Sequence, residues 1–185
     1  MRRSKALLPC GAGGLPFVIA IASALRRGGI DDVLAIGRPD DVALRAVAES
    51  DGLRFVENPR ADEGQLSSVI AGLNAVDRPG VAGLMVTPVD VPLITGAAVR
   101  AVLDAFEQGA AIARAVHRSR HGHPVVFARA LFDALRHADP AVGAKAVVRG
   151  HAVVDVEVDA AGVIEDVDTP EDYARLFGGE PPPLR

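Results

Sequence analysis

Long hydrophobic runs are missing from this chain. Apolar residues make up 49% of its 185 positions, yet no run approaches the roughly 18–20 residues of a membrane-spanning helix. The N-terminus, MRRSKALLPCGAGG, is basic and then briefly apolar, but Pro9 interrupts the stretch and argues against a secretory signal. Cysteine is nearly absent. Cys10 stands alone, so an internal disulfide is excluded, and a reducing cytoplasm is the expected location. No histidine near it in sequence marks it as a nucleophile. With a formal net charge of −4 and no basic block, the chain lacks the footprint of a dedicated nucleic-acid binder. Lysine is also scarce. Of 20 Lys plus Arg, only Lys5 and Lys145 are lysines. Where every other cation is Arg, a retained Lys marks a position that can need a compact, strongly hydrated point charge. Neither a repeat nor an internal linker is present. The expectation is one domain over residues 1–177, with a loose tail, GGEPPPLR, at 178–185.

What is present alternates between helical and extended patterns. PFVIAIASALRR (16–27) is apolar on most faces and stops at Gly28-Gly29, which predicts a buried helix. DDVLAIG (31–37), LRFVEN (53–58) and VAGLMV (81–86) read as strands. Helices are predicted over 39–50, over 67–76 with Ser67 or Ser68 as cap, and from Thr95 to Phe106. AAIARAV (110–116) and HPVVFA (123–128) are extended and separated by the polar stretch HRSRHG. Helices are expected at 130–138 and near 143–149. AVVDVEV (152–158) and VIEDV (163–167) flank DAAG and predict a hairpin, and TPEDYARLF (169–177) is the last helix. Strands alternating with helices predict an α/β fold: a three-layer αβα sandwich on a mostly parallel, Rossmann-like sheet, with a late antiparallel hairpin. Ligands in such sheets bind beyond the carboxyl ends of the strands.

The loops at those ends carry the candidate chemistry. TPVDVPLIT (87–95) holds Asp90 between Pro88 and Pro92, a stiff mount for one carboxylate after a buried strand. That suits a hard cation such as Mg²⁺, which takes one or two carboxylates plus phosphate oxygens, although a simple turn aspartate is the other reading. In EDVDTPEDY (165–173), Thr169, Pro170 and Asp172 make a helix start, leaving Asp168 without a capping duty. ENPRADEGQLSSVIAGL (57–73) offers Gly64, Gln65, Ser67 and Ser68 to a phosphate or ribose, or to a helix cap. HRSRHGHP (117–124) holds three histidines but no cysteine, which reads as a solvated loop before it reads as a zinc site.

These pieces together resemble the MobA-like nucleotidyltransferases, and most closely the molybdenum cofactor cytidylyltransferase (MocA-like) branch. RRSKALLP (2–9), the 57–73 segment, TPVDVPLIT, GHPVVF (122–127), GAKAVVR (143–149) and EDVDTPEDY match in order. The resemblance implies a cytoplasmic, Mg²⁺-dependent enzyme. It would transfer a nucleotide from an NTP, CTP first and GTP next, to a small-molecule phosphate acceptor such as the molybdopterin cofactor, releasing pyrophosphate. On that pattern Lys5 and Asp90 are catalytic, Asp90 and Asp168 bind metal, Gln65, Ser67 and Ser68 contact the nucleotide, and His123 lies near the acceptor. The family's first strand and glycine-rich loop would fall ahead of Met1, so an N-terminally truncated member is expected. Guanylyl transfer, sugar-phosphate nucleotidyl transfer and an impaired nucleotide-binding protein remain as alternatives.

Overall fold

The computed structural model describes residues 5–182, so Arg2, Arg3 and the end of the C-terminal tail lie outside the described residues. After a 3₁₀ turn at Lys5–Leu7 come helix α1 (Phe17–Arg27), strand β1 (Leu34–Gly37), α2 (Val42–Ser50), β2 (Arg54–Glu57), α3 (Gln65–Val76) and β3 (Gly83–Val86). They are followed by α4 (Gly96–Glu107), β4 (Ile112–His117), β5 (Arg120–Ala128), α5 (Phe132–Arg136), α6 (Lys145–Gly150), β6 (Val154–Glu157) and α7 (Pro170–Phe177).

The layers follow from strand alternation. In β1, Ala35 packs with α1 and α2, while Ile36 lies against Gly72 of α3. In β3, Met85 faces the α1 and α4 side, and Leu84 and Val86 face the α3 and α5 side. The result is the expected three-layer sandwich: α1, α2 and α4 cover one face, and α3, α5 and α6 the other. Helix α1 has no side-chain cap and depends on its buried face, Phe17, Ile19, Ile21, Ala22, Ala24 and Leu25. Each large apolar side chain buried there contributes about 1.5–3 kcal/mol.

Within one sheet the order is β3-β5-β4-β6. There β3, β4 and β6 run one way and β5 runs the other. A second sheet is the parallel pair β1-β2. Among the described residues the two sheets share no ladder. Arg78 just ahead of β3 donates to Asp32 just ahead of β1 at 2.9 Å. The amino ends of both strands are therefore neighbours.

Two expectations are corrected. The antiparallel hairpin is β4–β5, not the pair flanking DAAG. HRSRHG is mostly strand, and the reversal needs only Arg118 (φ 49°) and Ser119 (φ 63°), the two positive-φ residues of a tight hairpin loop. Residues 163–167 form no strand. Val163 is fully buried in the cluster under α4, and its carbonyl would lie 2.2 Å from a Cβ at Gly122. That segment fills the core against β5 instead of pairing with β6, which runs parallel to β4.

Helix caps are partly as expected. The Thr95 hydroxyl accepts from the Ala98 N–H at 3.1 Å, and Thr169 and Asp172 form a reciprocal capping box at α7. Helix α3 instead starts at Gln65 after Gly64, whose φ of 96° suits glycine, so neither Ser67 nor Ser68 is its cap.

Candidate active site

Lys5, Asp90 and Asp168 converge, although up to 163 positions separate them. The Lys5 ammonium donates to Asp168 Oδ1 at 2.8 Å and lies 3.9 Å from Asp90 Oδ2. Three local structures produce this meeting. First, the chain around Lys5 is a strap: Ala6 and Leu8 are buried, the Phe17 N–H donates to the Leu8 carbonyl at 2.8 Å, and the Tyr173 hydroxyl donates to the Pro9 carbonyl at 2.9 Å. Leu8, Phe17, Val167 and Tyr173 form one apolar cluster, which ties the strap to α7. Second, the loop after β3 is anchored by the buried Val91 and Ile94 on either side of Pro92, so Asp90 is raised on a fixed base. Third, the Val167 N–H donates to the Asp90 carbonyl at 2.8 Å, which joins the two carboxylate loops through backbone. The Asp168 side chain is free for Lys5 because Asp172 serves the cap of α7.

A third carboxylate, Asp166, belongs to this cluster. Burial holds its carboxyl above the ordinary value, and the charges of Asp90 and Asp168 add to the effect. The signal for it in the sequence was the alternation Asp166-Val167-Asp168: a buried valine places both neighbours on the other side of the chain.

His123 lies on the same side as Asp90. Burial pushes its imidazole below the ordinary histidine value and the Lys145 charge does the same, while a hydrogen bond with the Val86 backbone and the Asp90 charge act the other way. The ring is neutral at neutral pH, and its Nδ1 is buried without a hydrogen-bond partner. The second retained lysine is thus close enough to act electrostatically on the site. Its segment, GAKAVVR, is one of the matching motifs, but the motif alone gives Lys145 no role. The other histidines do not gather here: His117 is buried on the Val158 carbonyl, and His121 lies beside Arg114 and Asp155.

Of the three polar residues at the start of α3, Gln65 and Ser68 line the same large cavity as Ala6, Thr87 and Asp90. Ser67 lines a separate small pocket instead, and its hydroxyl donates to the Gly64 carbonyl at 2.8 Å. Asn58, which had no assigned role, is buried and donates to both Ser67 and Ser68, at 2.8 and 3.0 Å. Its Oδ1 accepts from the Arg60 N–H at 2.9 Å. Cys10 is no nucleophile in waiting, since burial pushes its thiol up to about 11.

Among the described residues, no set of three or more His, Cys, Asp and Glu is arranged to hold a metal ion by itself. Two hard oxygen donors beside a lysine still fit a cation that completes its shell with substrate phosphates. No helix among the described residues is long and apolar enough to cross a membrane.

The chain has relatives among known proteins. The chain matches the MobA-like NTP transferase domain over residues 1–156. It is similar to the crystal structure of Rv0371c in complex with manganese from Mycobacterium tuberculosis H37Rv, with 28% identity, a TM-score of 0.76, and coverage of 96% of this chain and 93% of that one. A homologue from Mycobacterium sp. strain JC1 shares 30% identity with a TM-score of 0.75, over 94% of this chain and 86% of that one. A nucleotidyl transferase from Methanothermobacter shares the fold at 19% identity and a TM-score of 0.77, over 94% and 83% of the two chains. No curated protein matches.

Proposed function

Because the chain belongs to the MobA-like NTP transferase family and is a nucleotidyltransferase, we propose that it transfers a cytidylyl group from CTP to a phosphate-bearing small molecule of the molybdopterin type. In that reaction an acceptor phosphate oxygen attacks the α-phosphorus. The bond from the α-phosphorus to the bridging oxygen breaks, and pyrophosphate leaves. The single observation that carries the reading is the convergence of Lys5 with Asp90 and Asp168. The choice of cytidine and of the acceptor rests on the resemblance of residues 57–73, 87–95, 122–127, 143–149 and 165–173.

Asp90 and Asp168 are the residues that would hold Mg²⁺. Bound there, such a cation would supply positive charge to offset the negative charge that develops in transfer. Lys5 does the rest of the electrostatic work. Its ammonium has three donors. Asp168 takes one and Asp90 is within ion-pair range, so at least one donor stays available to an α-phosphate oxygen. Phosphoryl chemistry needs positioning and charge more than covalent help, and this cluster supplies both. Gln65 and Ser68 lie along the nucleotide, with Ser67 behind them. His123, with its imidazole pKa lowered by burial, lies on the acceptor side.

The test is a panel of four NTPs with Mg²⁺ and a molybdopterin acceptor, scored for acceptor-dependent pyrophosphate release. CTP should be turned over fastest. Preference for GTP, or turnover with a sugar phosphate alone, would replace the substrate assignment. Binding without pyrophosphate release from any NTP would remove the catalytic reading.

A further inference from the structure

Asn58 and His117 are the buried polar side chains among the described residues, and the proposed reaction gives Asn58 no task. A buried amide needs a reason to be there. Asn58 stands just after β2, and its backbone N–H donates to the Gly37 carbonyl at the end of β1 at 2.7 Å. Its place is therefore set by the carboxyl ends of both strands.

Its side-chain hydrogen bonds have one possible polarity. The Arg60 backbone N–H only donates, so the atom 2.9 Å from it is the amide oxygen, Oδ1. Nδ2 is then turned to α3. It donates to Ser67 Oγ at 2.8 Å and to Ser68 Oγ at 3.0 Å, which uses both amide hydrogens. A serine hydroxyl that accepts still has one hydrogen to give. Ser67 gives its hydrogen to the Gly64 carbonyl at 2.8 Å. Among the described residues no acceptor takes the Ser68 hydrogen. Ser68, unlike Ser67, lines the cavity that Thr87 and Asp90 also line. Its oxygen is held from behind by Nδ2, and its hydrogen is left for an acceptor on the Asp90 side. The partner that suits a donor fixed in this way is an oxygen carrying no hydrogen of its own. A triphosphate has such oxygens, and so does the carbonyl of a pyrimidine base.

We propose that Asn58 is a positioning residue for nucleotide binding: by donating to Ser68 Oγ, it presents the Ser68 hydroxyl as a donor to an acceptor-only oxygen of the bound NTP. This inference rests on the reading that Ser68 lies along the nucleotide, and it adds which way that contact points and what sets it.

The experiment is a double-mutant cycle on the full chain, read as the Kd for CTP. Asn58→Asp keeps the shape and still accepts from the Arg60 N–H, but it puts an acceptor where Nδ2 stood, so the Ser68 hydrogen turns inward. Ser68→Ala alone should weaken CTP binding about tenfold. In the Asn58→Asp background, Ser68→Ala should cost less than about twofold, because the donor is already lost. The charge that Asn58→Asp introduces is common to both chains of that comparison and drops out. Asn58→Ala, read the same way, serves if Asn58→Asp melts below the assay temperature. Inorganic triphosphate in place of CTP locates the oxygen: the same pattern puts it on a phosphate, and indifference to Ser68→Ala puts it on the nucleoside. An equal tenfold cost in both backgrounds overturns the proposal, since Asn58 would then act without Ser68. No cost for CTP in either background also overturns it and leaves NTP binding standing. An unaltered chain that binds no NTP removes the nucleotide reading, and this inference with it.

Discussion

In the proposed reaction Asp90 and Lys5 have different tasks at the residue scale, and their substitutions separate charge from shape. Asp90→Asn keeps the volume and removes the charge that would hold a cation. Pyrophosphate release should fall about a hundredfold or more, with the far-UV circular dichroism unchanged. Activity within a few-fold of wild type would end the metal role. Lys5→Arg keeps the charge but replaces three rotatable donors by a planar fork. Because the ammonium already sits between two carboxylates, the larger group displaces its own charge from the phosphate, and turnover should drop about 10–100-fold. Equal turnover would make Lys5 an ordinary surface cation. Lys5, Asp90 and Asp168 were legible in sequence because each breaks a local habit: a lysine among arginines, an acid between prolines, an acid beside a cap it does not serve. Asn58 was not legible. Its side chain acts by joining Ser67 and Ser68, a contact that exists only after α3 folds back over β2.

Individual elements owe their stability to packing more than to charge, and the β4–β6 ladder shows the limit of what charge adds. Arg114 and Asp155 stand directly opposite one another across the parallel pair, and the guanidinium donates to Asp155 Oδ1 at 2.6 Å. That hydrogen bond, with the Arg114 charge and a smaller contribution from His121, holds the Asp155 carboxyl below its ordinary value of 3.8. A depressed carboxylate stabilises the fold above its unfolded value and stops doing so as pH falls through the folded value. Thermal melts of Asp155→Asn should therefore lie slightly below wild type at pH 7, by less than about 1 kcal/mol for so exposed a pair. The two curves should meet as pH drops below the ordinary carboxylate range, and a constant gap at every pH would show that packing, not charge, was lost. Periodicity located the neighbourhood of every described α-helix and strand, but not the 3₁₀ turns such as Ala161–Ile164. It failed at 163–167, where VIEDV alternates like a strand. Val163 is recruited by the core and the close approach at Gly122 leaves no ladder to join, a tertiary demand that no local pattern records.

Across the whole molecule, side chains hold together what backbone does not. The α/β layering was legible because each helix and strand carries its own periodicity. The gap between the sheets was not, since strand edges pair at long range. Among the described residues the two sheets share no ladder, which has a further consequence for cooperativity. Residues 31–76 are tied to the rest mainly through α1 and the contacts of α3, so this half can open as its own unit while β3, β4, β5 and β6 stay paired. Native-state hydrogen exchange under mild denaturant should resolve two opening free energies, the lower one shared by the amides of β1 and β2. One common opening for all six strands would mean that helix packing alone makes the two halves unfold as one.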